Sequence, residues 1–184
     1  MASTGEVACF GKTEEEAFIK ALMASTIRLP RKRILISAGQ KKEEYLESVK
    51  QLHGCGYELY GTPGTANFYE ANGIPMTKVD YEVFEHGQMS VGQRLTHEEF
   101  DMLITFPAPA TALDFGKDHS QQHQYQGKVA YSLRRAAIDS NTPIVTNLKV
   151  AELLASSLAN VSELTNESYQ TIIRNNKIQN GWAV

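Results

Sequence analysis

Residues 33–37 read Arg-Ile-Leu-Ile-Ser, a short apolar run that is typical of a fully buried β-strand. A helical pattern of apolar residues follows between Tyr45 and Leu52, and Gly54 marks its end. Parallel strands need a crossover connection, usually a helix, before the chain can return to the sheet. A strand that leads directly into a helix therefore indicates a parallel sheet.

The same alternation recurs along the chain. Four further strands are predicted at residues 57–60, 76–79, 102–106 and 143–146. Further helical patterns occupy residues 65–71, 129–139 and 148–158. A separate helix, from about residue 13 to 26, begins at the capping box of Thr13 and Glu16. We predict an α/β fold, a three-layer sandwich in which a five-stranded parallel sheet carries helices on both faces.

Composition and charge exclude several classes of protein. The 184 residues are 42% hydrophobic and 21% charged, as in an ordinary soluble domain. A net charge of −3 does not favour nucleic acid or an anionic membrane as a partner. No apolar run approaches the roughly 18 residues of a membrane span. We predict one domain, with a surface loop at residues 107–127 and, after Asn160, a segment that is either docked on the body or a mobile tail.

Polar residues end or follow each predicted strand. In an open parallel sheet, ligands bind beyond the carboxyl ends of the strands. The positions that this rule selects are Ser37, residues 62–65, Asp80, Tyr81, Thr105, Thr146 and Asn147. We expect all of them to open on one rim of the sheet.

The strongest local pattern is Thr62-Pro63-Gly64-Thr65, which places two hydroxyls and a glycine at the start of a predicted helix. Free backbone N–H groups and the positive end of the helix dipole favour an anion there. Lys42, expected early in the preceding helix, supplies a positive charge. An ordinary cap at Thr65 and a turn at Gly64 explain the same residues, so the motif alone leaves both interpretations open.

The predicted rim contains few side chains that could act as a catalytic acid or base. Asp80 is the one acid that the predicted strands place there, and no neighbour marks it as a tuned general base. His119 and His123 are four residues apart, but they lie in the predicted loop and lack a third ligand. We therefore predict no catalytic residue and no metal site.

Several segments resemble the methylglyoxal-synthase-like domain that closes the large subunit of carbamoyl phosphate synthetases. The segments that carry this resemblance are residues 35–37, 56–62, 64–66, 133–139 and 143–147. Residues 3–7 and the helix after them look like the end of the preceding ATP-grasp synthetase domain. The resemblance implies a Rossmann-like strand order and three parts: 1–30 as the end of the synthetase domain with a linker helix, 31–160 as a regulatory domain, and 161–184 as a tail or linker.

The resemblance also implies a site for an effector on the same rim. The phosphate of a nucleotide-type effector is expected against Ser37, Lys42, Thr62 and Thr65, with Gly64 allowing close approach of the backbone. The rest of the effector is expected near Tyr81, Thr105 and Asn147. The domain is thus expected to sense a ligand for the synthetase without catalysing a reaction itself.

Departures from the family pattern bear on which effector binds. Tyr81 stands where bacterial forms carry a lysine and the acetylglutamate-activated urea-cycle form a tryptophan. Thr105 stands where both carry an asparagine, and Ala108 and Ala130 match further asparagines of the urea-cycle form. A uridine nucleotide or phosphoribosyl pyrophosphate is therefore expected rather than acetylglutamate.

Two alternatives belong to other functional classes. A catalytic methylglyoxal synthase, a lyase of the same fold acting on dihydroxyacetone phosphate, needs aspartates in two segments. The matching segments here, residues 86–89 and 106–109, contain no aspartate. The second alternative is an interaction module in which the effector site has decayed, as the substitutions at Thr105 and Ala108 suggest.

The expected partners and cofactors follow from the resemblance. The partners are the rest of a synthetase chain, which makes carbamoyl phosphate, and a glutaminase part, with self-association as a further possibility. ATP with magnesium or manganese is expected upstream in the parent enzyme and no cofactor in this region. The expected location is the cytoplasm, or the mitochondrion for a form of the urea-cycle type.

Overall fold

A computed structural model describes residues 5–25, 27–81, 89–106 and 121–179, with side chains for all of these except 121–129 and 175–179. Five parallel strands form one sheet in the order β3-β2-β1-β4-β5. The strands are β1 (Arg33–Ser37), β2 (Glu58–Gly61), β3 (Thr77–Lys78), β4 (Met102–Thr105) and β5 (Ile144–Val145). The predicted five-stranded parallel sheet is confirmed, and its strand order is Rossmann-like.

Helices cover both faces of this sheet. The helices are α1 (Glu14–Ala24), α2 (Leu46–Gly54), α3 (Pro63–Ala71), α4 (Val91–Thr96), α5 (Gln121–Asp139), α6 (Leu148–Asn160) and α7 (Tyr169–Gln179). Buried residues of α2, α3 and α6 share one core cluster with Ile34 and Ile36 of β1. Buried residues of α4 and α5 share a second cluster with Leu35. The alternation of side chains along β1 thus separates the two cores and produces the three layers.

Strand β1 is the centre of the sheet because two strands lie on each side of it. Leu35 faces Tyr60 of β2 and Leu103 of β4 in the parallel register. Its three apolar residues, Ile34, Leu35 and Ile36, are fully buried, as the apolar run predicted. A strand buried on both faces reads as a continuous apolar run because neither set of side chains meets water.

Two helices begin earlier than predicted, one of them inside the predicted loop, and one further helix was not predicted. Helix α5 begins at Gln121, although residues 121–127 were expected to belong to a surface loop. The glutamines and lysine at its start are good helix formers, and a polar first turn carries no apolar periodicity. Helix α3 begins at Pro63, two residues earlier than predicted, since proline suits the first helical position. Helix α4 was not predicted, although Ser90 and Gln93 form a complete capping box at its start.

The tail after Asn160 is docked rather than detached over its described part. Thr165 bonds to Glu16 of α1, and the ring of Tyr169 contacts that of Phe10. Residues 107–120 of the predicted loop, which include Ala108 and His119, lie outside the described residues. The side chain of His123 lies outside them as well. Across the described segments, none of the helices has both the length and the apolar character needed to cross a lipid bilayer.

Gly61 lies at a close approach between strand β2 and helix α3. A Cβ placed on Gly61 would come within 2.4 Å of Met76 Sδ and 3.0 Å of the Ala66 backbone nitrogen. The backbone nitrogen cannot move aside as a flexible side chain can, so the position requires glycine.

We predict that Gly61→Ala lowers the free energy of unfolding by about 1–3 kcal/mol, the usual cost of overpacking a core. Urea denaturation measures this change. Gly54→Ala is the matched control, because a Cβ at Gly54 meets nothing within 4 Å. Equal midpoints for the two variants would contradict the close approach at Gly61.

Candidate functional site

The chain changes direction across the sheet between β1 and β4. Crossovers from β1 run outward through α2 and α3 in one direction, whereas α5 leads outward in the other. Ser37 at the end of β1 pairs in register with Thr105 at the end of β4. The carboxyl ends of strands beside such a reversal are where ligands bind in open α/β sheets. The topology therefore places Ser37 and Thr105 at the favoured position for a ligand.

Three hydroxyl groups lie together at this carboxyl edge, and we name Ser37, Thr62 and Thr65 the hydroxyl cluster. The Oγ1 atom of Thr62 lies 3.4 Å from Ser37 Oγ and 3.2 Å from Thr65 Oγ1. Thr65 Oγ1 also accepts a hydrogen bond of 3.1 Å from the backbone N–H of Ala38. Hydroxyl hydrogens rotate freely, so the cluster can present donors to one anion. The structure thus brings together the three predicted hydroxyl residues.

Thr62, not Thr65, is the capping residue of α3. Its extended backbone precedes Pro63, and its carbonyl accepts hydrogen bonds of 2.8 Å from the N–H groups of Thr65 and Ala66. Its side chain makes no cap hydrogen bond. The expectation of an ordinary cap at Thr65 is wrong, because proline at the first position fixes the start of the helix earlier. The Thr62 hydroxyl is consequently available to the cluster.

The start of α3 retains a backbone donor. Within the described part of the chain, the N–H of Gly64 has no hydrogen-bond partner, while those of Thr65 and Ala66 are used. Gly64 is exposed, and its missing side chain leaves the backbone open to an approaching group. A nine-residue helix adds its positive dipole end at the same place.

Lys42 brings the positive charge. It lies after a single 3-10 turn (Gly39–Lys41) and before α2, so the expectation that it belongs to a helix is wrong. Gly39 enters that turn with a φ of 55°, which interrupts regular helix directly after β1. Lys42 Nζ donates to the carbonyl of Gly64 at 3.4 Å and lies 5.9 Å from the centre of the Phe68 ring. The ammonium group therefore lies beside the start of α3.

Two buried tyrosines hold the backbone under this edge. Tyr69 donates its hydroxyl hydrogen to the carbonyl of Lys42 at 3.1 Å, and Tyr45 donates to the carbonyl of Ala151 at 3.3 Å. The Tyr45 ring also packs edge-on against Phe106, with ring centres 5.1 Å apart. Burial raises the pKa of both tyrosines far above the usual phenol range, so they remain neutral donors. They act as supports for the edge rather than as acids or bases.

The residues expected near the remainder of a ligand are more dispersed. Tyr81 packs against the second core cluster, on the opposite face of the sheet from α3. Asn147 caps α6, because its Oδ1 atom accepts a hydrogen bond of 3.2 Å from the N–H of Val150. Thr105 is buried beside Ser37, and Asp80 lies 4.0 Å from the ammonium group of Lys78. Only Thr105 of this group adjoins the hydroxyl cluster by register.

Two cavities lie away from the hydroxyl cluster and were not predicted. One, of about 360 Å³, is at the amino ends of β4 and β5 and is lined by Arg28, Glu98 and Thr142 among others. The other, of about 230 Å³, is apolar and lies between α1, β5 and α6. Such cavities depend on how distant segments meet, and no local sequence pattern marks them.

The described residues contain no group of side chains suited to hold a metal ion. Over residues 5–25, 27–81, 89–106 and the described side chains of 130–174, no three histidine, cysteine, aspartate or glutamate side chains are placed to hold a metal ion. The segments matched to the aspartate-bearing segments of the lyase, residues 86–89 and 106–109, lie mostly outside the described residues.

The chain is similar in sequence to segments of much longer proteins. The "Multifunctional protein pyr1-3" of Dictyostelium discoideum is 38% identical over 161 residues, which cover 86% of this chain and 7% of that protein. The "Multifunctional protein URA2" of Saccharomyces cerevisiae is 38% identical over 165 residues, covering 86% of this chain and 7% of that protein. Human mitochondrial "Carbamoyl-phosphate synthase [ammonia]" is 33% identical over 173 residues, covering 91% and 11%. The chain therefore spans about a tenth or less of the length of these relatives.

A solved structure and a family model complete the comparison. A crystal structure of methylglyoxal synthase from Elizabethkingia anophelis has a TM-score of 0.48 and 20% identity, covering 78% of this chain and 91% of that one. The family model described as "MGS-like domain" matches residues 44–146, more than half of the chain. The match includes α2 and α3, and with them Thr62 and Thr65 of the hydroxyl cluster, but it begins after Ser37 and Lys42. This chain belongs to the family of methylglyoxal-synthase-like domains.

Proposed function

We propose that this domain is the effector-binding regulatory part of a carbamoyl phosphate synthetase, and that it binds a phosphorylated, nucleotide-type effector at the hydroxyl cluster. The observation that carries the proposal is the convergence of three hydroxyls with the exposed N–H of Gly64 at the start of α3. Lys42 adds a positive charge at the same place. Phosphate is the ligand group that these donors fit, because it offers several acceptor oxygens and a negative charge.

The relatives support a regulatory role within a longer chain. Two of them are named carbamoyl-phosphate synthase, and several others are named multifunctional proteins that are many times longer than this chain. The partner of the domain is then the remainder of such a chain, together with a glutaminase part. ATP with magnesium or manganese belongs to that remainder, where carbamoyl phosphate is made.

The identity of the effector is proposed from the residues beyond the phosphate. Thr105 offers a small buried hydroxyl beside Ser37, and Tyr81 offers a half-buried ring on the other face of the sheet. Neither residue supplies a positive charge for a second carboxylate, as a dicarboxylate effector would require. A uridine nucleotide or phosphoribosyl pyrophosphate is therefore the proposed effector, which places the parent enzyme in pyrimidine synthesis and in the cytoplasm.

The effect of effector binding is proposed to reach the rest of the enzyme through helix α6. Helix α6 begins at Leu148, three residues after the end of β5 on the carboxyl edge, and its buried face packs in the first core cluster. Helix α1 packs on α6 and precedes the linker that enters the sheet at β1. An effector changes the packing of this domain on the rest of the enzyme only if it binds one of two packing arrangements more tightly than the other. The coupling free energy between two such sites is typically about 1–3 kcal/mol.

We predict that calorimetric titration of this domain detects uridine triphosphate or phosphoribosyl pyrophosphate and gives no heat with acetylglutamate. The hydrogen-bond donors of the hydroxyl cluster explain binding of the phosphorylated ligands. The lack of a second cationic group explains why acetylglutamate does not bind. Inosine monophosphate serves as a further phosphorylated ligand. Absence of binding by every phosphorylated ligand would refute the proposed site, and release of methylglyoxal from dihydroxyacetone phosphate would identify a lyase instead.

We predict that Lys42→Ala weakens binding of the phosphorylated ligand about tenfold, equal to roughly 1.4 kcal/mol. Lys41→Ala is the matched control, because Lys41 is the neighbouring exposed lysine and pairs with Glu44 instead. Equal affinities of the two variants would exclude Lys42 from the site. Lys42 is preferable to Thr65 for this test, since Thr65 Oγ1 also accepts from Ala38 and its loss disturbs the turn.

A further inference from the structure

A buried carboxylate joins two segments that are distant in the sequence. Glu16 of α1 is only 5% exposed. Its Oε2 atom accepts a hydrogen bond of 2.7 Å from the N–H of Lys12, and its Oε1 atom accepts one of 2.7 Å from the N–H of Thr165. Oε1 also accepts from the Thr165 hydroxyl and lies 2.9 Å from the ammonium group of Lys20. One carboxylate thus receives four donors, two of them from a residue 149 positions away.

We propose that Glu16 is a latch that fastens the segment 162–174 to helix α1, so that the linker helix and the tail move as one unit. The name latch here means the Glu16 carboxylate with its donors on Lys12, Lys20 and Thr165. The proposal concerns a positioning device and does not depend on what binds at the hydroxyl cluster.

The hydrogen bonds that attach the tail converge on one place. Among the described residues, every hydrogen bond and ring contact that 162–174 make outside their own segment goes to residues 10–20. Lys20 Nζ lies 3.5 Å from Thr165 Oγ1 and donates to the carbonyl of Phe10 at 2.9 Å. The Phe10 ring lies 5.1 Å from the Tyr169 ring, yet both side chains remain about half exposed. The ring contact is therefore peripheral, whereas the Glu16 carboxylate of the latch is buried.

Helix α1 has an attachment to the body that does not involve the latch. Ile19 is buried, and Phe18 and Leu22 pack against the first core cluster. Ser156 of α6 donates to the carboxylate of Glu15 at 3.3 Å. Loss of the latch should consequently release the tail while α1 stays on α6.

The hydrogen bonds at Glu16 favour its ionised form. The Thr165 hydroxyl, Lys20 and the two backbone N–H groups together hold the pKa of Glu16 well below the usual carboxyl range. Thr13 completes the local arrangement by accepting from the N–H of Glu16 at 3.2 Å. Glu16 does not return a bond to the N–H of Thr13, as a complete capping box requires, because its carboxylate is turned toward Lys12 and Thr165.

The test is amide hydrogen exchange, measured by NMR on the whole 184-residue chain. The N–H groups of Thr165 and Lys12 donate directly to the latch, so they report its closure. We predict that Glu16→Ala raises exchange at both amides at least tenfold and leaves the amide of Ile19 within twofold of its original rate. Glu14→Ala is the matched control, because it removes a neighbouring acid of α1 that makes no hydrogen bond or ion pair among the described residues.

A second variant separates release of the tail from damage to α1. Thr165→Val removes the hydroxyl but keeps the backbone N–H, so it should speed exchange across residues 165–174 while Lys12 stays protected. Unchanged exchange at Thr165 in Glu16→Ala would overturn the proposal. A parallel rise at Ile19 would also overturn it, because Glu16 would then support the helix and not the tail.

Discussion

The parallel pairing of β1 with both β2 and β4 is the constraint on which the rest of the structure depends. Parallel strands must all point the same way, so their carboxyl ends lie on one edge and each return crosses a face of the sheet. β1 has a neighbour on each side, and the order of the strands reverses there. The hydroxyl cluster lies at this reversal because Ser37 ends β1 and Thr62 follows its neighbour β2.

The same constraint explains why the two edges of the sheet differ in electrostatic character. Helix α3 begins at the carboxyl edge, where its donors face outward, and the helices that return to the amino edge end there with carbonyl groups. Arg28 of the linker donates to the carbonyl of Asn141, just past the end of α5. The carboxyl edge is therefore the side of the sheet that favours an anion, and the basic linker lies at the opposite edge.

The sequence was sufficient for the sheet but not for every detail of the site. Buried strands such as 34–36 are marked by their own composition, and the carboxyl-edge rule then selects Ser37, Thr62 and Thr65. The start of α3 at Pro63 and the place of Lys42 outside a helix depend on local backbone geometry, which the spacing of apolar residues does not specify. The separation of Tyr81 from α3 by the sheet depends on tertiary packing and has no local signal.

The closeness of Phe10 and Tyr169 has a mechanical consequence. The two rings lie 5.1 Å apart, and the buried carboxylate of Glu16 joins the backbone at Lys12 to the backbone at Thr165. A force applied between the two segments would act on the hydrogen bonds that Glu16 accepts. It would not act on the hydrogen bonds between the five strands. If Glu16 acts as the proposed latch, tension between the two segments would break the bonds of a single carboxylate before it reached the sheet and its carboxyl edge.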